Sequence, residues 1–224
     1  MLTIVPTPIG NLTDITLRAL EVLKAADTII CEDSRRTGLL LHHYQIHKPL
    51  IVLNDFNEAY TTAHLIELLK QGQHLALVSD AGTPLVADPG YKLIRQAINE
   101  GLEVDSLPGP NAAITALTLS GLPPDKFIFL GYLPEKNSHR IELLKKLPDL
   151  NKQIKSTFIA YVAPHKLRRT LSDIQQTLGD DIEIVLAREL TKIHQQVIKK
   201  SVTEWLKHFE KAVPKGEYVA LFAF

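Results

Sequence analysis

The spacing of apolar and polar positions changes period repeatedly along this chain. Short apolar runs at Leu2 to Val5, Thr28 to Cys31, Leu50 to Leu53, Leu75 to Val78 and Val104 to Leu107 are bounded by turn residues, and they read as buried strands. Segments of helical spacing lie between them. Thr16 to Ala26 carries Ala19, Leu20 and Leu23. Thr37 to Gln45 follows, then Thr62 to Gln71 with Leu65, Ile66 and Leu69, and Tyr91 to Glu100 with Leu93, Ile94, Ala97 and Ile98. Gly72 and Gly101 stand where helix stops belong. Strict alternation of this kind predicts a parallel sheet with right-handed crossovers and helices on both faces.

The second half has similar elements in a less regular order. Strands are predicted at Phe127 to Leu130, Thr157 to Val162, Ile182 to Leu186, Gln196 to Lys199 and Tyr218 to Phe224. Asn111 is placed to cap a helix of small residues from Ala112, and Ser138 to Leu147 reads as an amphipathic helix. Pro164 suits a first helical position, ahead of the stripe Leu167, Leu171, Ile174 and Leu178 and the stop at Gly179. Ser201 and Glu204 have the capping-box spacing, and Trp205, Leu206 and Phe209 form an apolar face behind them, so both aromatics read as core. The last strands read as antiparallel or mixed. The fold class is therefore α/β in two domains: 1–109 with a parallel sheet and 110–224 with a mixed one.

Composition narrows the class of partner. The 224 residues are 45% apolar and 22% charged, with a formal net charge of zero, so the total does not indicate a strongly basic nucleic-acid binder. The single cysteine, Cys31, excludes an intrachain disulfide and fits a reducing compartment. The first residues lack a basic segment followed by an apolar one, and no apolar run approaches the ~20 residues of a membrane span. A cytoplasmic protein with no membrane association is expected.

The unusual residues sit in the loops after strands. Pro6-Thr7-Pro8-Ile9-Gly10 follows the first, Glu32-Asp33-Ser34-Arg35-Arg36 the second, Ser79-Asp80-Ala81-Gly82-Thr83-Pro84 the fourth and Pro108-Gly109-Pro110-Asn111 the fifth. In a parallel sheet these loops fall on the carboxyl edge, where ligands bind. The phosphate-loop pattern, the dinucleotide fingerprint, paired-cysteine and zinc-helix motifs and the nucleophile elbow are all missing, and the nine histidines are scattered. No metal site is expected.

These loops, together with Asp88-Pro89-Gly90, Gly131-Tyr132-Leu133-Pro134, Pro164-His165 and Arg188-Glu189-Leu190-Thr191-Lys192, resemble the tetrapyrrole-methylase superfamily, and within it the branch that methylates ribosomal RNA. The resemblance runs along the whole chain. It implies an S-adenosylmethionine-dependent methyltransferase, usually homodimeric, that methylates the 2′-oxygen of a cytidine in the decoding region of small-subunit ribosomal RNA, within the assembling or assembled small subunit. A tetrapyrrole or other small molecule is the alternative acceptor, and a non-catalytic cofactor-binding regulator the alternative of another class. The cofactor is implied to lie in a cleft between the domains, against Pro8, Gly10, Asp80, Ala81, Gly82, Thr83, Asn111, Ala112, Val162 and Ala187. Two departures stand out. Relatives commonly carry an acidic residue where this chain has Val162, and many continue past the last strand into a helical segment, whereas this sequence stops at Phe224.

Catalytic candidates are Lys192, Arg188, Glu189 and Asp33. Lys192, desolvated or set beside Arg188, would have a lowered pKa and accept the hydroxyl proton; the competing reading is a surface ion-pair cluster. Arg35, Arg36 and Lys166 are candidates for RNA phosphate, against a solvated face. Asp80 is either a ligand to the cationic cofactor or a loop-capping carboxylate.

Overall fold

The computed structural model describes all residues, 1–224, and divides into two compact units, Met1–Asn111 and Ala112–Phe224. The first holds five parallel strands: β1 (Leu2–Ile4), β2 (Thr28–Cys31), β3 (Leu50–Val52), β4 (Leu75–Leu77) and β5 (Val104–Ser106). Their spatial order is β3-β2-β4-β1-β5. Period-2 alternation sends successive strand residues to opposite faces. Leu2, Ile4, Ile30, Leu75 and Leu77 pack with Leu65, Ile66 and Leu69 of α3 (Glu58–Lys70) and Leu93 of α4 (Tyr91–Asn99). Val5, Ile29, Cys31, Ala76 and Val78 pack with Leu23 of α1 (Leu17–Ala25) and Leu41 of α2 (Ser34–His43).

The strand order matters for function. β2, β4, β1 and β5 are four consecutive strands, so the four loops singled out by sequence are neighbours along one edge. Two helices begin earlier than their apolar spacing suggests. α2 starts at Ser34, three residues ahead of Thr37, because the Asp33 side chain caps it by accepting from the Arg35 N–H. α3 starts at Glu58 rather than Thr62. Glu58 is polar in sequence yet buried, because its carboxylate turns inward to accept from the N–H groups of Gly90 (3.1 Å) and Lys92 (3.2 Å) at the start of α4.

The second unit carries a mixed sheet in the order β6-β7-β10-β8-β9. β6 (Phe127–Tyr132) runs parallel to β7 (Thr157–Val162); β10 (Tyr218–Phe222) is antiparallel to β7 and to β8 (Glu183–Arg188), and β8 to β9 (Gln196–Ser201). β6 runs two residues beyond the expected Leu130, so Gly131 and Tyr132 belong to the strand. Four helices complete the unit: α5 (Ala112–Leu119), α6 (Asn137–Gln153), α7 (Pro164–Leu178) and α8 (Val202–Lys211). α6 continues through Pro148, where the sequence suggested an end at Leu147, and Leu150 packs on the core beyond it. Both arms of the Ser201–Glu204 capping box form. Trp205 and Phe209 stack in the core, and the Trp205 indole donates to the Ile184 carbonyl at 2.9 Å. No helix is long and apolar enough to cross a membrane.

Candidate active site

The loop edge of the first unit is stitched by short contacts. Thr7 and Gly82 exchange backbone hydrogen bonds of 2.8 and 2.9 Å, and the Thr7 hydroxyl donates to the Ser79 carbonyl at 3.2 Å. The Thr83 hydroxyl donates to the Pro110 carbonyl at 3.0 Å and accepts from the Asn111 amide at 3.4 Å. A Cβ on Gly109 would lie 2.6 Å from the Cβ of Pro6, so only glycine lets those two loops approach. The loops after β1, β4 and β5 are thereby one fixed surface.

Asp80 ties in the β2 loop as well. Its Oδ1 accepts from the Asp33 N–H at 3.1 Å, and its Oδ2 faces Arg36 Nε at 3.4 Å. One oxygen of Asp80 is thus a loop-bonding acceptor. A cavity of about 150 Å³ opens here, lined by Thr7, Pro8, Arg36, Thr37, Ser79 and Asp80.

Carboxylates crowd this edge. Burial pushes Asp88 up to about 6, helped by the nearby Asp80 charge and opposed by a hydrogen bond from Ser79. Burial also raises Glu32, with Asp80, Asp88 and Asp55 adding to the effect. Asp80 is raised by burial, with Arg36 pulling the other way. Asp33 behaves oppositely: hydrogen bonds from the Arg35 side chain and N–H hold it at about 2. An edge of partly desolvated carboxylates is complementary to a cation, and a sulfonium centre meets that requirement. The residues present therefore fit a cationic cofactor. Within the expected set, Gly82 is buried and Thr83, Asn111 and Ala112 half-buried, whereas Gly10 and Ala81 are exposed. Arg35 and Arg36 are exposed, and each pairs with a carboxylate of the edge, Asp33 and Asp80.

The other candidates belong to the second unit. Strand pairing places Tyr218 of β10 beside both Val162 and Arg188, and Val219 beside Ala187, so these residues share one end of the sheet. Val162 and Ala187 are buried as whole residues. Arg188 Nε donates to the Lys215 carbonyl at 2.7 Å. Lys192 Nζ lies 3.0 Å from Glu189 Oε1 and 2.9 Å from Glu217 Oε2. Glu189 Oε1 also accepts from the Glu217 N–H at 2.9 Å. Desolvation lowers the Lys192 pKa, but the bonds to Glu217 and Glu189 outweigh it, and the net direction is upward. The expectation of a lowered lysine pKa is corrected: two carboxylates, and not the Arg188 guanidinium, are its neighbours. Lys166, in the first turn of α7, pairs with Glu135, which lies just before α6.

Sequence reasoning missed Glu217, Glu58 and the high proton affinity of Asp88. Glu217 and Glu58 act over 25 and 32 to 34 residues of chain, and no local spacing announces such contacts. Asp88 lay inside a block singled out by sequence, but its burial is a tertiary property.

A family model described as Tetrapyrrole (Corrin/Porphyrin) Methylases matches residues 1–205. Relatives called ribosomal RNA small subunit methyltransferase I are similar over nearly the whole chain. The one from Thermotoga maritima is 45% identical over 222 residues, covering 99% of this chain and 97% of that one. The one from Escherichia coli O157:H7 is 48% identical over 221 residues, covering 97% of this chain and 76% of that one. Among solved structures, a diphthine synthase superposes with a TM-score of 0.75 at 17% identity, covering 99% of this chain and 89% of that one. Uroporphyrin-III-C-methyltransferase from Thermus thermophilus gives 0.64 at 20% identity, covering 98% and 93%. Those two likenesses concern the fold alone.

Proposed function

The chain belongs to the tetrapyrrole methylase family, and from that premise we propose that it is an S-adenosylmethionine-dependent methyltransferase of small-subunit ribosomal RNA, acting on the 2′-oxygen of a cytidine ribose in the decoding region. The acceptor class is supported by identities of 45% and 48% to small-subunit ribosomal RNA methyltransferases over nearly the whole chain. The structural observation that carries the reading is the carboxylate-rich loop edge around Asp80. The cofactor, when bound, supplies a methyl group on a sulfonium centre.

The chain's own residues supply position and charge. The Thr7–Gly82 bridge and the Thr83–Pro110 bond fix the backbone carbonyls and amides of this edge before any ligand arrives. Asp80, Glu32 and Asp88 set a negative field there, and Asp80 Oδ2 keeps Arg36 beside it. Lys192 enters as an ammonium pinned by Glu189 and Glu217, so its role is to stabilise negative charge on the acceptor oxygen while the hydroxyl proton passes to solvent water. Asp33, held at about 2 by Arg35, is likewise an orienting charge and not the base. Arg35 and Arg36 are the phosphate contacts assigned to this edge. The enzyme is proposed to work in the cytoplasm as a homodimer.

Small subunits lacking the modification, incubated with methyl-labelled S-adenosylmethionine and the enzyme, are expected to take up label in their RNA. Label entering a tetrapyrrole but not the RNA would reverse the acceptor, and absence of S-adenosylmethionine binding by calorimetry would remove the enzyme reading altogether.

A further inference from the structure

The second unit contains a cavity of about 430 Å³ with features of a built ligand site. That volume lies within the roughly 300–1,000 Å³ of pockets that hold small ligands. It opens where β6 leaves its regular pairing with β7. Phe129 pairs with Ile159, but the next pairing joins Tyr132 to Tyr161, so β6 has one extra residue. Gly131, with φ 63°, accommodates the irregularity. Bulges re-aim side chains, and this one brings the Tyr132 ring to 5.5 Å from the Tyr161 ring, which in turn meets Phe129 at 4.9 Å. The outermost ring of this ladder, Tyr132, is 61% exposed.

The wall beside the ladder is braced from below. Arg140, 4% exposed, donates to the carbonyls of Pro134 (2.7 Å) and Glu135 (3.1 Å) and is ion-paired to the buried Asp173. Asn137 donates to the same Asp173 at 2.8 Å. Removing an arginine and a carboxylate from water is costly unless each finds several partners. Here the partners are the carbonyls of the segment that follows Tyr132, so the pair holds that segment in place. The rim carries Lys166, paired with Glu135, whose side chain is 82% exposed. An exposed pair of that kind is worth at most about 1 kcal/mol, so an incoming anion displaces Glu135 at little cost.

The exposed Tyr132 face, backed by the half-buried Tyr161 and set beside an exchangeable lysine, suits a planar base carrying a phosphate. Both cations of the wall are ion-paired, Arg140 to the buried Asp173 and Lys166 to Glu135, and only the Lys166 pair is exposed enough to open for an anion. We propose that this cavity is the subsite for one unstacked ribonucleotide of the RNA acceptor, its base against the Tyr132–Tyr161 pair and its phosphate toward Lys166. This rests on the reading that RNA is the acceptor.

The test uses the full chain with cytidine 5′-monophosphate as probe, alongside steady-state methylation of unmodified small subunits. The mononucleotide is expected to bind the unaltered protein, about tenfold more weakly to Tyr132→Ala and equally well to Tyr132→Phe. Tyr132→Ala and Lys166→Ala are expected to raise KM for the small subunit at least fivefold, with kcat within twofold and S-adenosylmethionine affinity unchanged. Lack of mononucleotide binding at millimolar concentration, an unchanged KM, or a loss of cofactor affinity in place of RNA affinity would each overturn the subsite. Failure of the unaltered enzyme to methylate RNA at all would instead sink the proposed function, and the mononucleotide measurement separates the two.

Discussion

Asp88 shows what burial does to a single group at this site. Its carboxyl titrates at 3.8 when free and at about 6 in the folded loop. The folded state therefore favours the proton, so ionisation costs stability. That cost is absent below about pH 4, grows between about 4 and 6, and is complete above 6. The interval corresponds to about 3 kcal/mol at most. Asp88→Asn is accordingly expected to raise the thermal midpoint at pH 7.5 and to have no effect near pH 4. A midpoint difference that is constant with pH would show that burial is not the cause. Gly109 makes a second residue-scale case. Gly109→Ala drives a methyl into the Pro6 ring, which has no flexible end to move aside. We expect a loss of about 1–3 kcal/mol of stability and S-adenosylmethionine binding at least tenfold weaker by calorimetry. Unchanged values for both would show that the two loops can part freely.

At the scale of elements, the informative departures are those where a side chain leaves its sequence neighbourhood. The parallel alternation of the first unit was readable because strand and helix periods differ so plainly. The start of α3 was not, because Glu58 is a solvent-type residue whose partners, Gly90 and Lys92, lie on the next helix. Its carboxylate satisfies N–H groups at the start of α4, and Lys92 Nζ approaches it at 3.1 Å. Glu58→Gln keeps the shape and removes the charge, and chemical denaturation should register a loss of about 1–2 kcal/mol. If stability is unaffected, the cap contributes nothing and the early start of α3 needs another cause. The capping box at Ser201, by contrast, is local and was legible in four residues. The Gly131 bulge was not, since register is set by the partner strand.

For the molecule as a whole, the order β2-β4-β1-β5 explains why four separated loops form one surface. Their residue types pointed to a ligand edge, and the resemblance supplied the ligand. What the sequence left hidden was electrostatic: which carboxylates are desolvated, and that Lys192 is clamped by Glu189 and Glu217. Proton affinity depends on neighbours brought from elsewhere in the chain, so the lysine read as a base is a fixed cation. The central claim is tested most directly by mapping the product. Small subunits lacking the modification are incubated with the enzyme and S-adenosylmethionine, and their RNA is digested to nucleosides for mass spectrometry. The account predicts 2′-O-methylcytidine from the decoding region. A methyl on a base, on another nucleoside, or on no RNA component would contradict it.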